Sequence, residues 1–436
     1  MYNKPDTAIA PHTPDHERKQ LALCLTGLGL LAAFMTLFQL GSQPPSGDDY
    51  GVALSAIQYM ENGQLGPTMW NHPALRNILV YFSLKAFGPG IMGVKFWSVL
   101  FGSLTAPLLA AVAYRLFRSI PIAALAGLFM ALDPVRIDFS RQGINDIYLT
   151  FFPLAGLLLV LSYLERRKSW RMLAAGVMFG CGLASKWSVA LQLFAAIVYF
   201  GYAIISDGKL SKQERTGELL FAVATLLVVP VTIYILTFLP WLARGYSLSE
   251  WWKLQGQMWL ETRTHTGYLQ MHVERDHRAY EWFIRPVSHM TYILPPAATA
   301  TYEGTRLLLS FGNPLVWLLT LPGTAWLTYS AFHRKNSGYF LAAGLFFVSY
   351  LPLIMTSRSI WVNTALVVIP YAFLAVAFLV HEMCSWIPVG RYLLYAYLFL
   401  VVTMTVPLFL LATARGGDYA LLRPYTERYM LKDVDH

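Results

Sequence analysis

The sequence predicts an all-α protein that crosses a membrane many times. Three observations carry that expectation. Hydrophobic residues make up 56% of the 436-residue chain and charged residues only 13%, with a mean hydropathy of +0.47; a soluble domain carries about 25% charged residues. The run LALCLTGLGLLAAFMTLFQL (21–40) is long enough to cross ~30 Å of hydrocarbon as a helix, and similar runs recur. In lipid only helices or closed barrels satisfy their own backbone, and these runs are too long and continuous for barrel strands. The length fits one membrane domain rather than a string of soluble ones.

Taken in chain order, residues 1–20 are polar, contain three prolines and end in HERK before the first apolar run. They read as a disordered cytoplasmic tail. The first run exceeds the about 7–15 residues of a signal-peptide core and is followed by GSQPPSGDDY, so it reads as an uncleaved helix. A loop over 41–92 then holds SGDDYGVAL (46–54) and NHPALRN (71–77), with YGVALSAIQYMENG (50–63) patterned as an amphipathic helix. Further apolar runs lie near 94–114, 120–134, 145–164, 172–184, 188–205, 219–240, 313–331, 339–355, 361–380 and 392–412. The total is about eleven spans in a membrane domain of 21–413, followed by a tail, 414–436.

Charge fits this alternation. The loops YRLFRS (114–119), ERRKSWR (165–171), DGKLSKQER (207–215) and HRKNS (333–337) are all net positive and fall on one side with the N-terminus. Short basic loops stay cytoplasmic, so the net charge of +9 is topogenic and speaks against a nucleic-acid partner. The other side receives the aspartate loop, VRIDFSRQGIND (135–146), SKW (185–187), the long segment 241–312 and the C-terminus. That segment is too polar to span. Its stretch SLSEWWKLQGQMWLETRTH (247–265) predicts one or two amphipathic helices on the membrane interface, as plain anchors or as part of a binding surface. Cys24, Cys181 and Cys384 show no CxxC spacing, which indicates neither a disulfide framework nor a zinc site.

Residues able to carry chemistry collect on that second side. Asp48 and Asp49 are adjacent carboxylates that repel, so one keeps its proton longer or seeks a cation; simple solvation is the plain alternative. A carboxylate beside a reacting hydroxyl serves as general base. Arg141 and Asp146 sit where a helix enters the membrane, as a structural ion pair or as the lining of a polar cavity. Lys186 interrupts the apolar stretch 172–205, either snorkelling or facing a ligand. Arg358 lies at the end of another apolar run. Grouped cations of this kind suit a phosphate. The histidines 265, 272, 277 and 289 show no HExxH or paired spacing and read as ordinary loop residues. The acidic pair leaves a divalent cation open, since the lysine and arginines also suffice to neutralise a phosphate. Ionisable residues gathered at one rim, without an internal repeat, argue against a transporter.

The motifs DDY (48–50), NHPAL (71–75), SRQGINDIYLTFF (140–152), ASKW (184–187), IYILTFLPW (233–241), YEWFIRPV (280–287) and GNPLVW (312–317) occur in one order. In that order they resemble the protein O-mannosyltransferase family of integral-membrane, GT-C type glycosyltransferases. The resemblance implies inverting transfer of a sugar, usually mannose, from a polyprenyl-phosphate carrier to a Ser or Thr hydroxyl of a secreted protein. It implies Asp48 as general base, Asp49 positioning acceptor or donor, Arg141 and Lys186 facing the donor phosphate, and Asp146 orienting Arg141; Arg358 joins the phosphate set on the grouping of cations alone. Tyr50, His72, Arg76 and Trp187 are the expected supporting residues. The chain departs from the family in its Asp-Asp pair, where Asp-Glu is usual, and in HPALRN, where Arg76 stands in for a lysine. It also reads SIWVNTALVVIP after Arg358 and has no inserted soluble domain, which points to a bacterial or archaeal type. The acceptor stays open between a protein and a lipid such as lipid A, as in aminoarabinose transferases.

Overall fold

The computed structural model describes residues 15–42, 47–66, 69, 72–264, 278–285, 288–293, 306–356 and 360–413. It is nearly all helical. In chain order the helices are α1 (Asp15–Leu37), α2 (Gly47–Asn62), α3 (Leu75–Phe87), α4 (Ile91–Phe117), α5 (Ile120–Leu132), α6 (Pro134–Ser140), α7 (Tyr148–Arg166), α8 (Ser169–Leu183) and α9 (Val189–Ser206). There follow α10 (Lys212–Leu236), α11 (Leu248–Thr264), a hairpin of β1 (Ser288–Ile293) and β2 (Arg306–Phe311), then α12 (Pro314–Arg334), α13 (Ser337–Met355), α14 (Ile369–Trp386) and α15 (Gly390–Ala412).

Among the described residues nine helices are long and apolar enough to cross a membrane, or ten if the bent pair α5–α6 is one span. Each of the eleven predicted runs is helical, so the difference in count has a physical cause. Helix α8 has only 15 residues, about 22 Å of rise, and stops short of the ~30 Å hydrocarbon thickness. It packs as a hairpin with α7 and still returns the chain to the end where α7 began. The 58° bend between α5 and α6 falls at Asp133–Pro134. Proline cannot continue a helix but suits the first position of the next, and the Asp133 carboxylate caps it by accepting from Arg136 N at 2.9 Å.

Two other expectations change. Residues 15–20 belong to α1, whose first turn carries Asp15 and Glu17, the sign a helix N-terminus favours; residues 1–14 lie outside the described set. Among its described residues, segment 241–312 holds the expected amphipathic helix, α11, and, unexpectedly, an antiparallel hairpin in which Ser288 pairs with Phe311 and Ile293 with Arg306.

The core is built around α14, where every residue from Ile369 to Val380 is buried, as a helix apolar on all sides must be. By contrast α1, α10 and α15 turn long apolar faces outward, including Leu23, Leu220 and Phe399. Within α10, the segment Ala224–Val228 widens into a π-helix against α8. Gly176 permits that approach, since a Cβ there would lie 2.0 Å from the Thr225 carbonyl oxygen. The four basic loops gather at one end. Arg115 and Arg118 share Glu165, Arg167 meets Asp207 and Glu218, and Arg334 pairs with Glu382 while lying over Tyr339, which packs on Phe117.

Candidate active site

At the opposite end, α1 stops with its last carbonyls lacking helical partners. The bent α5–α6 unit supplies them. Arg141, fully buried, donates from one terminal nitrogen to Thr36 O and Phe38 O, both at 2.8 Å, and from the other to Gln39 O at 3.2 Å. Arg136, also fully buried, donates to Thr36 Oγ1 at 2.7 Å and to Met130 O at 3.0 Å. Two guanidinium groups thus fix the corner from which the chain turns towards α2 and its acidic first turn.

The two adjacent aspartates have different surroundings. Asp49 is 1% exposed; its Oδ2 lies 3.2 Å from the Lys95 ammonium, itself 1% exposed, in the first turn of α4. Lys95 makes no aligned hydrogen bond among the described residues, so charge holds it. Asp49 Oδ1 accepts from Gly143 N at 2.6 Å. Only glycine fits there, because a Cβ at 143 would meet that oxygen at 2.9 Å and Val94 Cγ1 at 2.6 Å. Asp48 is exposed. Its carboxyl nevertheless stands in a partly dehydrated corner, which holds it above the usual carboxylate range; the charges of Asp49 and Asp146 add to this and Arg76 opposes it.

Arg76 enters from the start of α3, buried, with Nε donating to Asn77 Oδ1 at 3.1 Å. Burial pulls its guanidinium down to about 10, against the charges of Asp146 and Asp48, so it remains cationic at neutral pH. Lys186 lies in the turn after α8, where Lys186 N bonds Gly182 O at 3.0 Å. Asn145 Nδ2 reaches Ser185 O at 2.6 Å and Leu75 N reaches Ala184 O at 3.0 Å, joining this turn to the 141–147 loop and to α3. The Lys186 ammonium is 3.1 Å from Asp146 Oδ1, with 19% and 6% of the two side chains exposed.

The structure brings several of the residues expected from the sequence to this end of the bundle but pairs them differently. Asp146 is engaged by Lys186, and Arg141 by carbonyls of α1, in place of the expected Arg141–Asp146 couple. Tyr50 is exposed on the same turn as Asp48, and His72 is half-buried at the approach to α3. Trp187 donates its indole N–H to Tyr234 Oη at 3.0 Å. Arg358 and the histidines 265, 272 and 277 lie outside the described residues. Lys95 was missed, although a lysine at the second position of the apolar run 94–114 is itself a signal. Asp138 was missed too: it is buried, accepting from Gln142 Nε2 and from Ser310 Oγ, both at 2.7 Å, and so ties β2 to the site loop. Among the described residues, no group of three or more His, Cys, Asp or Glu side chains could hold a metal.

Known proteins resemble this chain in sequence and fold. Residues 69–243 match the family model described as dolichyl-phosphate-mannose-protein mannosyltransferase. A polyprenol-phosphate-mannose–protein mannosyltransferase of Corynebacterium glutamicum is 25% identical over 373 residues, 72% of this chain and 70% of that protein. The structure superposes on the Saccharomyces cerevisiae protein O-mannosyltransferase Pmt1–Pmt2 complex bound to the sugar donor with a TM-score of 0.78 at 11% identity, covering 97% of this chain and 93% of that one. ArnT of Cupriavidus metallidurans bound to undecaprenyl phosphate gives 0.54 at 14% identity, covering 89% and 72%. A bundle of this topology has the fold of the GT-C type integral-membrane glycosyltransferases. Within that class the chain is most like the protein O-mannosyltransferases, through the family-model match over residues 69–243 and the 25% identity to the Corynebacterium glutamicum enzyme.

Proposed function

We propose that this chain transfers mannose from a polyprenyl-phosphate carrier to a Ser or Thr hydroxyl of a protein, with inversion, at the extracytoplasmic membrane surface. The observation that carries the reading is the division of labour in the acidic pair. Asp49 is locked on Lys95 and Gly143, while Asp48 beside it is open and shares its surroundings with Arg76 and Asp146. The acceptor oxygen attacks the anomeric carbon as its proton passes to Asp48. The bond from that carbon to the phosphate oxygen breaks, and the polyprenyl phosphate leaves carrying one more negative charge. Lys186 and Arg76 meet that charge, at the moment when preorganised cations count most. Arg141, spent on the end of α1, holds the corner rather than the donor. The basic loops at the other end support a cytoplasmic position for them and an outward-facing site.

The test is transfer of label from polyprenyl-phosphate [¹⁴C]mannose by purified protein, offered a Ser/Thr-rich peptide or a lipid extract. Label on the peptide, absent with Asp48→Asn, is the expected result. Label confined to the lipid would overturn the protein acceptor and keep the donor.

A further inference from the structure

Helix α11 rests on the bundle with Leu254 and Met258 buried, while Trp252 and Trp259, seven residues apart, face outward, 72% and 58% exposed. They differ in one respect. Trp259 packs against Trp187, with ring centroids 6.1 Å apart and planes tilted by 31°. Trp187 directly follows Lys186. A hydrogen-bond chain fixes this corner: Trp187 Nε1 donates to Tyr234 Oη at 3.0 Å, and Tyr234 Oη donates to Gln255 Oε1 on α11 at 2.5 Å. The chain consumes the Trp187 indole proton and the phenol proton. The surface left at this corner, one residue along the chain from Lys186, is aromatic, without those donors to offer a sugar hydroxyl, and presented in part by an amphipathic helix of the kind that lies at a membrane surface. A polyprenyl phosphate has the matching chemistry, an anion attached directly to an unsaturated apolar C5 unit.

We propose that Trp187 and Trp259 form the wall on which the carrier's first isoprene unit packs when its phosphate is held at Lys186. The inference rests on the donor class argued above and adds a lipid-recognising subsite built by α11. Its test needs no turnover: binding of geranylgeranyl phosphate, which has no sugar, to the full-length protein in micelles. Trp259→Ala should weaken binding about three- to tenfold, the range for loss of an aromatic contact. Trp259→Phe should retain most of it, and Trp252→Ala, two turns away, should leave it unchanged. Equal binding by Trp259→Ala and wild type would overturn the subsite. So would equal losses in the Trp252 and Trp259 variants, which would make both tryptophans bilayer anchors. Wild-type protein that ignores geranylgeranyl phosphate would overturn the carrier reading along with the subsite, so the two failures are distinguishable.

Discussion

Two lysine–aspartate pairs stand at the same end of this bundle. Lys95–Asp49 and Lys186–Asp146 have nearly equal lengths, 3.2 and 3.1 Å, but the first is sealed from solvent and the second reaches it through the lysine. A sealed pair has lost its hydration on both charges, so its partners cannot part without leaving a bare ion in a medium of low dielectric constant. It can only hold geometry, and what it holds is the turn bearing Asp48, together with the Gly143 amide. An open pair can exchange its partner. Its ammonium can turn to an incoming phosphate while Asp146 stays within Coulombic reach of Arg76. Burial, rather than distance, thus separates scaffold from working site.

The largest effect belongs to the residue that the sealed pair positions. Asp48→Asn should reduce transfer by about 10²–10⁴-fold, the usual worth of a general base, with binding of the carrier kept. Comparable turnover in the variant would remove Asp48 from the chemistry. Next comes the sealed pair itself. Lys95→Met alone leaves Asp49 buried and uncompensated and should cost about 3–5 kcal/mol of stability, read as loss of the folded, monodisperse protein in detergent. Adding Asp49→Asn should restore much of it, since the amide oxygen still accepts from Gly143. A double variant no better than Lys95→Met would contradict the scaffold role. Lys186→Gln should do the reverse, with a smaller loss of stability than Lys95→Met and a raised KM for the donor. If Lys186→Gln unfolded the protein as readily as Lys95→Met, the distinction between the pairs would collapse.

The sequence showed the helices well and the pairings poorly, for a physical reason. Apolar runs report spans because the bilayer imposes a length and a polarity on each segment separately. Even α2 was legible from its amphipathic pattern. The acidic pair, Asp146 and Lys186 were legible as polar residues out of place, and Arg76 and Trp187 only through the family resemblance. Which cation meets which carboxylate depends on how the helix ends are satisfied. Arg141 goes to α1 because three carbonyls there need donors, and that frees Asp146 for Lys186. The run 172–184 marked α8 correctly but read as a full span, because a second apolar run resumes just past Lys186 in α9. The hairpin was hidden in a segment whose tryptophans drew attention to an amphipathic helix.

The smallest expected effect is the sharpest probe of the open side. Asp48 must be ionised to accept a proton, and its carboxyl is held above the usual carboxylate range. Activity should therefore rise with pH through that raised value, giving kcat/KM an acidic limb above the ordinary carboxylate range. Among the charges that act on Asp48, Arg76 opposes the shift, whereas Asp49 and Asp146 increase it. Removing the cation in Arg76→Gln should move the limb to higher pH, on top of any loss of donor affinity. Asp146→Asn removes a negative charge and should move it to lower pH. The two displacements have opposite signs, so a general loss of structure cannot mimic both. The pH dependence of kcat/KM, measured at donor concentrations far below KM, separates them. A limb that stays fixed in both variants would mean that the group seen by kinetics lies outside this cluster and that Asp48 is not the base.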